Sequence, residues 1–137
     1  MPAPSRDLIR GIPLFAETDE KFLDRLAKEF NPRTYAPGEL IAEEGEPGRT
    51  FFVIESGEAA VLVHGNEVHR LGPGDSFGEI ALIDRSDRSA TVRAETEVRG
   101  YQLPVFSFRP IVESHPEMTW ALLEALAQRG RDAESRT

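Results

Sequence analysis

A glycine, a glutamate and an arginine are the residues whose types and spacing suggest chemistry. Gly78 and Glu79 open the run Phe77-Gly78-Glu79-Ile80-Ala81-Leu82-Ile83, and Arg88 follows after the polar corner Asp84 to Asp87. Arg88 offers a planar, permanently charged fork that matches phosphate oxygens. A short helix starting near Gly78 would direct unpaired backbone N–H groups at an anion, because the first turn of a helix leaves its donors free. Gly78 has no Cβ to hold such an anion away from the main chain. Glu79 is repelled by a phosphate but accepts from hydroxyls, so its partner would be a sugar. Together these residues suit a small anionic sugar phosphate. Each also has a plainer reading, with Glu79 as an acid at a helix N-terminus and Arg88 as a surface partner of Asp84 or Asp87.

These residues need a scaffold. Before them, Phe22, Leu23, Leu26, Ala27 and Phe30 recur on one face of a helix over 19–30. Thr18 is the expected N-cap, and Asn31-Pro32 ends the helix because the residue before proline avoids helical geometry. Leu8, Ile9, Ile12, Leu14 and Phe15 form an apolar patch broken by Gly11 and Pro13. From Arg33 onward, short β-type runs alternate with glycine-rich turns: 40–41, 51–54, 59–63, 68–71, 90–94 and 98–103. Many short strands with frequent turns imply an antiparallel roll or barrel. After it, Ser107 is expected to cap a short helix with Pro110 in its first turn and His115-Pro116 at its end. Met118, Ala121, Leu122, Ala125 and Leu126 trace a last helix, with Trp120 beside the stripe and read as core. Gly130 is expected to end that helix or let it fray.

Composition narrows the partners. The chain has 137 residues, enough for one domain with a real core. A net charge of −8 and a pI near 4.9 argue against nucleic acid or an anionic membrane. An anion pocket must therefore build its positive potential locally. With no cysteine there is neither a disulfide framework nor a thiolate metal site, which fits a reducing cytoplasm. No signal peptide or membrane span is evident. A two-residue turn at Gly65-Asn66 would pair His64 with Glu67 and place His64, Glu67 and His69 on one face, a start for a metal site. That pairing leaves Val61, Val63 and Val68 on the core side and the histidines facing solvent, so no metal site is expected. No catalytic arrangement stands out.

The order Phe77-Gly78-Glu79-Ile80-Ala81-Leu82, then Arg88-Ser89-Ala90, resembles the phosphate-binding cassette of the cyclic nucleotide-binding domain family, of catabolite activator protein and protein kinase A regulatory subunit type. Glu79 and Arg88 stand nine positions apart, as in the kinase subunits. The resemblance covers about residues 12 to 129, and the glycines at 45, 57, 74 and 78 fall at the family's turns. It implies a mainly β fold with flanking helices: an antiparallel, jelly-roll-like double-stranded β-helix with N- and C-terminal α-helices. The expected division is a helical segment 8–32, a β-roll 33–104, C-terminal helices 105–130 and a polar tail 131–137.

The resemblance also implies a ligand, cAMP or possibly cGMP, bound by Gly78, Glu79, Ile80, Ala81, Arg88, Ser89 and Ala90. Glu79 would meet the ribose 2′-hydroxyl and Arg88 the cyclic phosphate, while Gly78 and Ala81 offer backbone N–H groups. Ser89 occupies the position that helps set nucleotide preference, and favours cAMP. Trp120, Leu126 and Arg129 are candidates for a lid over the base. The implied protein is a cytoplasmic sensor with no cofactor and no catalysis. It would act as a stand-alone module, monomer or homodimer, and signal through its C-terminal helices to an effector protein. The alternatives are an interaction module that no longer binds ligand, and a metal-dependent, cupin-like barrel enzyme. The His-X-His motif of the latter is absent.

Overall fold

The computed structural model describes residues 3–78 and 87–135, with backbone only at 129, 130 and 132–135. Two short elements come first: α1 (Arg6–Arg10) and a 3-10 turn (Pro13–Phe15). Helix α2 (Glu20–Ala27) then buries Phe22, Leu23 and Leu26 along one face. Its N-cap is Asp19, whose Oδ1 accepts from the Phe22 N–H at 2.9 Å, and not the expected Thr18. Thr18 is buried, and its hydroxyl instead donates to the Phe15 carbonyl at 2.8 Å. Asp24 on α2 takes a two-pronged contact from Arg6, which holds α1 alongside.

Eight antiparallel strands follow among the described residues: β1 (Asn31–Tyr35), β2 (Leu40–Ala42), β3 (Thr50–Ser56), β4 (Ala59–Val63), β5 (Asn66–Leu71), β6 (Ser76–Phe77), β7 (Thr91–Ala94) and β8 (Val98–Pro104). They form two four-stranded sheets, β1-β8-β3-β6 and β2-β7-β4-β5. This is the β-roll with N- and C-terminal helices that the sequence implies. Strands β1 and β6 were not expected. Asn31 to Tyr35 lacks apolar alternation and forms an edge strand because β8 supplies its partners, from Asn31 opposite Gln102 to Tyr35 opposite Val98.

Strand β3 shows why the apolar run Phe51 to Ile54 is continuous. Successive side chains point to opposite faces, and both faces are covered. Phe51 and Val53 join Phe15, Phe22, Leu26 and Ile111 in a core under the helices. Phe52 and Ile54 join Ala59, Val92 and Ala94 inside the roll.

The β4–β5 hairpin departs from expectation. Val63 pairs with Asn66, so the turn residues are His64 and Gly65, both at positive φ (51° and 83°). Such a turn matches the twist of the flanking strands. A bulge then sets Leu62 opposite Glu67 and Val61 opposite His69. Adjacent residues of β4 face opposite ways, so Glu67 and His69 do not share a face. Val68 is the extra residue and is exposed, not core. His64 is held by Glu44, with its N–H 3.0 Å from Oε1 and its Nδ1 3.2 Å from Oε2.

Two helices close the chain. Helix α3 (Val105–Ser114) starts directly from β8, with Pro104 at the cap position and Ser107 already inside. No side-chain cap is present; the Val105 N–H is satisfied by the Arg49 carbonyl at 2.9 Å. Pro110 therefore lies in mid-helix, beyond the first turn. After the turn Pro116–Met118, helix α4 (Thr119–Ser135) runs through Gly130 without stopping. An interior glycine costs about 1 kcal/mol, and its neighbours Ala127, Gln128, Arg129, Arg131 and Ala133 are good helix formers. Leu122 of α4 is buried, with Ala125 and Leu126 packed beside it on the helical core. Among the described residues no helix is long and apolar enough to cross a membrane.

Candidate functional site

The backbone of Arg88 is held by the segment that connects β2 to β3. Its N–H donates to the Glu46 carbonyl at 2.8 Å, and its own carbonyl accepts from the Gly45 N–H at 2.9 Å. A bridge between Pro47 and Asp87 and a bond from the Glu44 N–H to Thr91 Oγ1 at 3.0 Å complete this ladder. The backbone at Arg88 is thus fixed on both sides before its side chain is considered.

The guanidinium then reaches inward to the start of β3. Nη2 donates to the Thr50 carbonyl at 2.6 Å and lies 3.3 Å from Thr50 Oγ1. Its carbon sits 5.8 Å from the centroid of the Phe77 ring, within reach of a cation–π contact. Phe77 is held by Phe52 from inside the roll, their centroids 5.7 Å apart.

Gly78 lies at the same point. Its φ is +91°, a backbone conformation that residues other than glycine rarely adopt. A Cβ there would come within 2.6 Å of Arg88 Nη1 and 2.8 Å of the Thr50 carbonyl. The glycine is therefore required twice, by its backbone angle and by the arginine that fills the space above it. The motif placed these two residues ten positions apart; the fold brings them into contact.

Among the described residues the arrangement is electrostatically unfinished. Burial lowers the Arg88 pKa from its ordinary value by desolvating its charge. Among the described residues no carboxylate pairs with it; Asp87, the described candidate for the surface reading, does not. A half-buried cation without a counter-charge is costly. An anion delivered beside Gly78 would relieve that cost while Thr50 keeps one nitrogen engaged.

Ser89 follows, exposed, and Ala90 is half-buried as the chain enters β7. Glu79, Ile80 and Ala81, with the short helix expected after Gly78, lie outside the described residues, as does Asp84. Of the lid candidates, Trp120 is 69% exposed and so is not core. Leu126 is packed on the helical core, and the Arg129 side chain lies outside the described residues. An open groove between the Pro13–Phe15 turn and α4, lined by Ala16, Ala121, Ala125 and Gln128, shares no residue with the cassette. Among the described residues no cluster of His, Asp and Glu could hold a metal. Thr50 is the participant that sequence reasoning missed, since a threonine opening a strand carries no signal of its own.

The fold is that of the cyclic nucleotide-binding domain, whose family model matches residues 32–115. The chain belongs to that family. It is 37% identical over 113 residues to the potassium/sodium hyperpolarization-activated cyclic nucleotide-gated channel 2 of Mus musculus, covering 82% of this chain and 13% of the channel. The human channel 3 is 38% identical over the same length, with 15% of that protein covered. The chain thus spans a small part of the curated relatives it matches. Among solved structures, the N-terminal domain of a transcriptional regulator from Streptomyces coelicolor A3(2) superposes with a TM-score of 0.84 at 31% identity, covering 94% of this chain and 96% of that one.

Proposed function

We propose that this domain is a cyclic nucleotide sensor that favours cAMP, with cGMP as the weaker ligand. The observation that carries the reading is Arg88: half-buried, held against Thr50 and Gly78, and lacking a carboxylate among the described residues. In this reading the cyclic phosphate completes Arg88, with backbone N–H groups of Gly78 and Ala81 beside it. Glu79 accepts from the ribose hydroxyl, Ile80 and Ala90 line the pocket, and Ser89 adds a hydroxyl toward the phosphate. No step of covalent chemistry is required, so the domain acts by binding alone.

The signal is a population shift. Ligand favours one arrangement of α3 and α4 over another, and the shift can be no larger than the ligand's differential affinity for the two. The relatives are gated channels and part of a transcriptional regulator, which supports an effector protein as the reader here. The site of action would be the cytoplasm, with the domain a monomer or homodimer.

Calorimetry with cAMP and cGMP, repeated on Arg88→Ala, tests the reading. Leaving the phosphate unpaired costs about 2–5 kcal/mol, so the variant should bind on the order of 30-fold more weakly or worse. In a thermal melt, ligand at about 1,000 times Kd should stabilise the wild type by about 4 kcal/mol, a rise on the order of 10 °C. No shift with millimolar cAMP or cGMP would leave an interaction module that has lost its ligand.

A further inference from the structure

We propose that Thr50 is the positioning residue of the anion site, its hydroxyl and carbonyl together fixing the Arg88 guanidinium so that Nη1, beside Gly78, is left for the phosphate. The inference rests on the phosphate reading of Arg88 and adds to it the residue that sets the arginine's direction.

Both contacts come from one residue and meet one nitrogen, Nη2, at 2.6 Å from the carbonyl and 3.3 Å from Oγ1. The carbonyl is an immobile acceptor. Thr50 sits in β3 opposite Pro104, Phe51 pairs with Leu103, and the preceding carbonyl, of Arg49, bonds the first N–H of α3. A long, rotamer-rich side chain is thereby ordered before any ligand arrives, and the ordering entropy is not charged against binding. The fork geometry of the guanidinium does the rest. With Nη2 directed at Thr50, the planar group turns Nη1 toward Gly78, where only the missing Cβ leaves room. The carbonyl alone would let the group swivel about a single bond. The hydroxyl is a second point of attachment, and threonine's branched Cβ restricts where that hydroxyl can sit.

Thr50→Val keeps the shape and the carbonyl and removes the hydroxyl, while Thr50→Ser keeps the hydroxyl. Thr50→Val should weaken cAMP binding roughly three- to tenfold with little change in melting temperature, and Thr50→Ser should stay within about twofold of wild type. In an Arg88→Ala background Thr50→Val should have almost no further effect, because its action runs through the arginine.

A readout without ligand separates this proposal from the nucleotide reading: hydrogen exchange of the Arg88 side-chain N–H groups by NMR. Exchange should be slow in wild type and Thr50→Ser, and faster in Thr50→Val. If no cyclic nucleotide binds wild type but Thr50→Val still frees Arg88, the nucleotide reading falls and the positioning role stands. Equal exchange in all three proteins overturns the proposal. So does an affinity loss from Thr50→Val that persists undiminished without Arg88.

Discussion

Gly78→Ala puts the cassette's geometry to a quantitative test. Two costs are distinct. The first is conformational: at φ +91° a Cβ is strained against its own backbone by about 1–2 kcal/mol. The second is steric: the new methyl would meet the Thr50 carbonyl at 2.8 Å and Arg88 Nη1 at 2.6 Å. The arginine tip can swing away, losing its bond to Thr50, but the carbonyl belongs to paired β3 and cannot. Gly74 offers a matched control, since its φ is +89° and an added Cβ there meets nothing within 4 Å. Gly74→Ala should therefore cost only the conformational part. Gly78→Ala should cost about 1–2 kcal/mol more, the range expected for forcing an extra group into packed surroundings. For a domain of this size that difference is a melting temperature lower by about 3–7 °C than that of Gly74→Ala. The assay is paired thermal denaturation by circular dichroism. Equal melting temperatures for the two variants would refute the close approach of Gly78 to Thr50 and Arg88, and with it the geometry of the site.

Asp19→Ala should lose the α2 cap, a cost of about 1 kcal/mol visible in urea denaturation, whereas a cap at Thr18 would leave Asp19→Ala neutral. Phe22→Ala, at a fully buried site, should cost about 3–5 kcal/mol, while Trp120→Ser should stay within about 0.5 kcal/mol. Burial raises the phenol pKa of both Tyr35 and Tyr101, with Glu55 adding to the effect at Tyr101. The unfolded chain therefore ionises first, so their contribution is full below the ordinary tyrosine value of about 10 and declines as pH rises through the folded pKa. Absorbance at 295 nm should show both tyrosines, the two in the chain, titrating later in native protein than in urea; coincident curves would contradict their burial.

Local patterns carried much of this fold. The periodicity of Phe22, Leu23 and Leu26 and the glycine-punctuated strands are legible because each depends on near neighbours in the chain. The misjudged features depend on distant ones. Strand β1 exists because β8 pairs with it. The hairpin register slipped by one because His64 can occupy a positive-φ turn position, where Glu44 holds it from the turn after β2. Thr18 yielded the cap to Asp19 once its hydroxyl was drawn to Phe15.

The site divides in the same way. The identities and spacing of Phe77, Gly78, Glu79, Arg88, Ser89 and Ala90 point to the family on their own, since a motif is linear and its chemistry resides in residue types. What surrounds Arg88 was decided only by the tertiary structure. Its anchor, Thr50, lies 38 positions earlier, and only the pairing of β3 within its sheet and the ladder through Glu46 bring the two together. Hydrogen bonds and burial act through space, so a residue's partner is written in the sequence only where chain distance and spatial distance coincide.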